Sequence, residues 1–180
     1  MSDEGRPIGI SVLAVLYFLG GLLALGIVVL GPGSMPAEFE ELGVSGLLIA
    51  IRIIFWCALG IAAGVGMWTR KRWGWWLGAF WLFYSIARNV NALLMLPGLV
   101  EQFGAQEVDV AKYQLRFAGR IAVSALLILY FFKSNVVAWF GVGATPGWKR
   151  VALLAGATIG ILALFAAASL LSGGEAQASP

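Results

Sequence analysis

Four arginines set in or beside long apolar runs, Arg52, Arg88, Arg116 and Arg120, are the residues whose type and spacing point to chemistry. A guanidinium stays charged and presents a planar fork of donors that fits carboxylate or phosphate, so their chemistry is anion binding. Arg52 stands seven residues into its apolar run, roughly 10 Å along a helix axis. Arg88 stands eight residues before the end of the next run, at a similar depth. Lys112, Arg116 and Arg120 repeat at i, i+4, i+8, one face of a helix. Tyr84, Ser85, Asn89 and Asn91 add hydrogen-bonding groups near Arg88. Together they predict a polar, positively charged pocket in the outer leaflet. In one reading the arginines snorkel outward and pair with Glu38, Glu40, Glu41, Glu101, Glu107 and Asp109, clamping loops onto helix ends. In the other, Arg52, Arg88 and Arg120, helped by Asn89, Asn91 and Arg116, hold a lipid phosphate or an anionic substrate headgroup. A third reading has the arginines placed independently, one of them facing lipid and reaching the headgroups.

What is missing narrows the chemistry. The chain has no histidine, which excludes imidazole-ligated haem, histidine zinc sites and a serine–histidine pair. No Asp or Glu lies inside an apolar run, so a carboxylate proton relay is not expected. One cysteine, Cys57, makes neither a dithiol nor a cluster. No glycine-rich phosphate motif occurs, and Gly31-Pro32-Gly33 reads as helix punctuation. No catalytic residue, metal site or cofactor is expected, and an enzyme is disfavoured.

The elements that position the arginines follow from hydropathy. The chain is 180 residues long, 61% hydrophobic and 12% charged, with mean hydropathy +0.90. A soluble domain carries about 25% charge, and one of this length cannot hide so much apolar surface. The net charge of +3 lies in turns beside apolar runs, so nucleic acid is not a partner; the lipid bilayer is.

The predicted fold is an all-α membrane protein with a bundle of five transmembrane helices, about 8–30, 45–69, 73–96, 113–132 and 151–171. A cytoplasmic N-terminus, 1–7, precedes them and a disordered tail, 172–180, follows. The first run is read as a retained helix, because it exceeds the usual signal-peptide apolar length and its leader carries Asp3 and Glu4. Gly31-Pro32-Gly33, Pro97-Gly98 and Lys133-Ser134-Asn135 are the predicted stops. Ser34–Gly43 reads as either a short interfacial helix or an acidic loop. Val136–Phe140 reads as an amphipathic turn with Val136, Val137, Trp139 and Phe140 toward lipid. The last run is alanine-rich; if it does not insert, four helices remain and both termini lie inside.

Orientation comes from charge. Arg70-Lys71-Arg72 joins two membrane-length runs in so short a turn that they must be antiparallel neighbours. One side of the membrane takes Arg6, Arg70, Lys71, Arg72, Lys133, Lys149 and Arg150 against Asp3 and Glu4, which makes it the cytoplasmic side. Trp68, Trp73, Trp75, Trp76, Trp139 and Trp148 fall near the same interface. Gly60 and Gly64 form a small-xxx-small pair, as do Gly156 and Gly160. Such pairs let helix backbones approach within the chain or, through Gly156 and Gly160, bind a membrane-protein partner or a second copy.

The stretch Gly64-Val65-Gly66-Met67-Trp68-Thr69-Arg70-Lys71-Arg72-Trp73-Gly74-Trp75-Trp76, with Tyr130-Phe131-Phe132-Lys133-Ser134-Asn135-Val136-Val137-Ala138-Trp139-Phe140-Gly141, resembles small uncharacterised bacterial polytopic inner-membrane proteins. The likeness covers about Ile8–Gly141. It implies a bacterial inner membrane and about four helices, with the last helix an addition, and it implies no activity. The expected function is that of a non-enzymatic accessory or assembly partner of a larger membrane system. The alternative is a small transporter or lipid-handling protein that binds an anionic headgroup at the outer arginines.

Overall fold

The computed structural model describes residues 7–30, 46–103 and 109–176, and its regular structure there is all helix. The order is α1 Ile8–Leu30, α2 Gly46–Trp68, α3 Arg72–Phe103, α4 Val110–Phe131, the short α5 Ser134–Trp139 and α6 Gly147–Ala176. All but α5 are long and apolar enough to cross a membrane. Helices are what such a sequence must form in lipid, where every backbone polar group needs a partner within its own segment.

Three boundaries differ from the sequence expectation. Helix α3 does not stop at Pro97-Gly98; it carries Pro97 inside and runs to Phe103. A proline removes one N–H from the ladder, and a long helix absorbs that loss near its end. Helix α6 opens at Gly147, ahead of the basic pair, because the Pro146 carbonyl accepts the Arg150 N–H at 3.1 Å. It also continues to Ala176, so residues 172–176 of the expected disordered tail are helical. Extending a formed helix adds one hydrogen bond per residue fixed. The Ser34–Gly43 segment, with Glu38, Glu40 and Glu41, lies outside the described residues, as do Glu107, residues 1–6 and residues 177–180.

The chain forms two compact units, one running to Gly78 and resuming at Ile159, the other Ala79–Thr158. The first is organised around an antiparallel seam between α1 and α2 in which glycines replace side chains. A Cβ on Gly21 would stand 2.8 Å from the Cys57 carbonyl oxygen, and one on Gly64 would stand 2.7 Å from that of Ala14. Between them, a Cβ on Gly60 would meet the Tyr17 carbonyl at 3.4 Å. Lipid offers no hydrophobic drive, so backbone proximity and dispersion hold this seam. Ile10, Leu13, Ala14, Cys57, Ala63 and Met67 are buried along it or beside it. The Tyr17 hydroxyl donates to the Gly78 carbonyl at 3.1 Å, tying α1 to α3.

The turn from α2 to α3 has a defined cap. Arg70 N–H donates to the Met67 carbonyl at 3.3 Å and Lys71 N–H to the Gly66 carbonyl at 2.9 Å. This is the Schellman pattern, with Arg70 as its left-handed residue at φ 57. Immediately beyond it Gly66 and Gly74 face each other so closely that neither has room for a Cβ.

In the second unit, the Asp109 side chain caps α4 by accepting the Lys112 N–H at 3.0 Å. Helix α5 corrects the sequence expectation. Val136, Val137, Trp139 and Phe140 do not face lipid; all four are buried, Val136 completely. Their stripe is apolar enough for the bilayer, but dense packing gives them more partner atoms than fluid lipid does. A second Schellman turn closes α5, with Gly141 N–H on the Ala138 carbonyl at 3.0 Å, Val142 N–H on the Val137 carbonyl at 3.1 Å, and Gly141 at φ 66.

Candidate functional site

The expected arginine pocket can be followed residue by residue. Arg52, in the first unit, is exposed. Its guanidinium carbon lies 5.0 Å from the centre of the Phe165 ring. Phe55 and Trp56 flank that ring, each 6.3 Å away centre to centre. A guanidinium over an aromatic face is held by the ring quadrupole, a contribution of about 0.5–1 kcal/mol when exposed. The site of Arg52 is thus an aromatic platform where α2 meets α6, a neighbour that the sequence pattern did not single out.

Arg88, Asn91, Arg116 and Arg120 belong to the second unit and are all exposed. Asn89 is the exception, with 4% of its surface exposed. Its amide donates to the Ser85 carbonyl at 2.6 Å. The Ser124 hydroxyl donates to the Ser85 hydroxyl at 3.1 Å, which links α4 to α3. Asn89 therefore belongs with Ser85 and Ser124 in an interhelical polar clasp. Bonds of this kind between membrane helices average about 0.6 kcal/mol, because the unfolded helices also find partners in the membrane. Ser124→Ala is therefore expected to lower stability by roughly 0.6 kcal/mol. A Ser85→Ala, Ser124→Ala double-mutant cycle in a reversible denaturation assay measures the coupling.

The second unit also contains a hollow that sequence spacing does not reveal. It measures about 370 Å³ and is lined by Phe132, Ser134, Val137, Ala138, Gly143 and Arg150. Three short pieces shape it. The C-terminus of α4 supplies Phe132, α5 supplies Ser134, Val137 and Ala138, and the first turn of α6 supplies Arg150. The Schellman turn at Gly141 reverses the chain between them. The Arg150 guanidinium carbon lies 5.5 Å from the centre of the Phe132 ring, and its Nε and Nη1 are shielded from solvent. Lys133 and Lys149 sit on either side in sequence, their ammonium groups 5.9 Å from the Tyr130 ring and 5.4 Å from the Trp148 ring. No acidic residue occurs between Asp109 and Glu175, so the local field is positive. In the sequence, Lys149-Arg150 reads as a topology charge; its usable signal was a basic pair directly behind Pro146-Gly147 and Trp148.

Among the described residues, no three His, Cys, Asp or Glu side chains gather where a metal could bind. No protein-family model matches this chain, and neither a curated protein nor a solved structure matches it.

Proposed function

We propose that this chain is a non-enzymatic membrane protein that works by binding, as an accessory or assembly partner of a larger system in a bacterial inner membrane. What supports the reading is the contrast between its two glycine pairs. On the α1–α2 seam, Gly60 and Gly64 are occupied by the neighbouring backbone. On α6, a Cβ added at Gly156 or Gly160 meets nothing within 4 Å. The span of α6 is also among the least buried, at 11% against 33% for α2. Two small residues one turn apart, open and apolar, suit the close approach of a helix from another protein. The orientation that goes with this reading has the N-terminus and the basic turn in the cytoplasm. A second reading, headgroup handling or transport, is favoured by the exposure of Arg88, Arg116 and Arg120.

The test is a Gly156→Leu, Gly160→Leu double variant. The open space accepts both leucines, so level and melting behaviour are expected to match the parent. Photocrosslinking from α6 in native membranes should capture a defined partner with the parent chain and lose it about tenfold with the double variant, the equivalent of roughly 1.4 kcal/mol. A partner retained by the folded double variant would sink the proposal.

A further inference from the structure

We infer that the hollow between Phe132 and Arg150 is a binding site for the phosphate of an anionic membrane lipid. Arg150 supplies the charge. It lines the hollow with its guanidinium carbon 5.5 Å from the centre of the Phe132 ring, and a charge held beside apolar walls is less screened than one in open water. The Ser134 hydroxyl lines the same hollow and adds a donor. Lys133 and Lys149 flank it, in a stretch without acids, and raise the local concentration of anions.

The remaining lining decides between the two sources of phosphate. Phe132, Val137, Ala138 and Gly143 give the hollow apolar walls beside its cation. An inorganic phosphate would gain nothing from those walls. The glycerol end of a phospholipid, which carries apolar carbon next to its phosphate, would fill them. A volume of about 370 Å³ is at the small end of ligand sites and suits a headgroup alone. Exposed Trp148, 70% accessible and two residues before Arg150, is of the kind that settles at headgroup level. The site is independent of the α6 glycine face and stands or falls apart from it.

The experiment uses the full chain in phosphatidylcholine nanodiscs with or without phosphatidylglycerol, and reads retained lipid by native mass spectrometry. The parent chain is expected to keep phosphatidylglycerol in preference to phosphatidylcholine. Arg150→Gln should reduce that retention about tenfold. Gly143→Val should do the same with every charge in place, because Gly143 lines the hollow and a Cβ added there would meet only the Val137 side chain, at 3.9 Å. Gly20→Leu, on α1 where an added Cβ meets nothing within 4 Å, should leave retention unchanged. The proposal is overturned if Arg150→Gln, folded by circular dichroism, retains the lipid as well as the parent does. It is equally overturned if inorganic phosphate displaces phosphatidylglycerol at comparable concentration, which would make the ligand a soluble anion.

Discussion

Gly64→Leu is expected to leave little folded protein. A Cβ at this position would stand 2.7 Å from the Ala14 carbonyl oxygen and 2.8 Å from both the Phe18 nitrogen and the Phe18 Cβ. Two of those three atoms are backbone, so no rotamer change clears the way. The α1 helix would have to move outward as a body, and with it the approaches at Gly60 and Gly21. Overpacking of a close-packed site costs typically 1–3 kcal/mol and more where backbone must shift, so a loss of about 3 kcal/mol is expected. In a membrane the seam has no hydrophobic collapse to fall back on, because separated helices lie comfortably in lipid. Gly20→Leu is the matched control. It sits on the same α1 helix with nothing within 4 Å, and is expected to change stability by no more than about 0.5 kcal/mol. Unfolding of both variants by a denaturing detergent measures the difference.

Trp75→Ala is the second large effect. Trp75 has no exposed surface and is the largest fully buried side chain among the described residues. Its ring meets that of Trp76 edge-on, 5.0 Å between centres. Large-to-small changes in soluble cores combine a transfer loss with a cavity loss. Here the transfer loss nearly vanishes, since the unfolded reference is also apolar. The cavity and the lost dispersion contacts remain, and a tryptophan leaves a large void. A loss of about 2–4 kcal/mol is therefore expected, somewhat below the usual value for tryptophan in a soluble core. Trp148→Ala removes the same side chain from a site 70% exposed, and should alter stability by less than about 0.5 kcal/mol. If the two variants melt together, burial of Trp75 contributes nothing specific.

The fold was legible because long apolar runs leave a chain in lipid one option. The five spans, the glycine contacts at Gly60 and Gly64, and the tight bend at Arg70-Lys71-Arg72 could all be reasoned out from residue type. The fate of the short stripe Val136–Phe140 could not. A set of apolar residues on one helical face suits lipid and suits a protein core equally, and only the turn at Gly141 decides which it meets. Pro97 misled for a related reason. Its missing N–H marks a boundary in water, where the freed carbonyl has solvent, and matters less in a long membrane helix. Of the candidate site, the helices that carry the arginines were legible. Their neighbours were not, since Phe165 approaches Arg52 from far along the chain and Ser124 reaches Ser85 across two helices. The hollow at Arg150 needs three elements at once and leaves almost no trace in any one of them.

The two Schellman turns differ at their left-handed residue, Gly141 in one and Arg70 in the other. Glycine takes that conformation freely, while a side chain there costs on the order of 1–2 kcal/mol. Ease of folding would therefore choose glycine at position 70 as well. The cation that stands there adds to the charge imbalance that decides which way a hairpin threads into the bilayer. Sturdiness and direction of insertion are thus opposed at a single backbone position, and a chain improved for heat resistance at that position would be less certain which way to face.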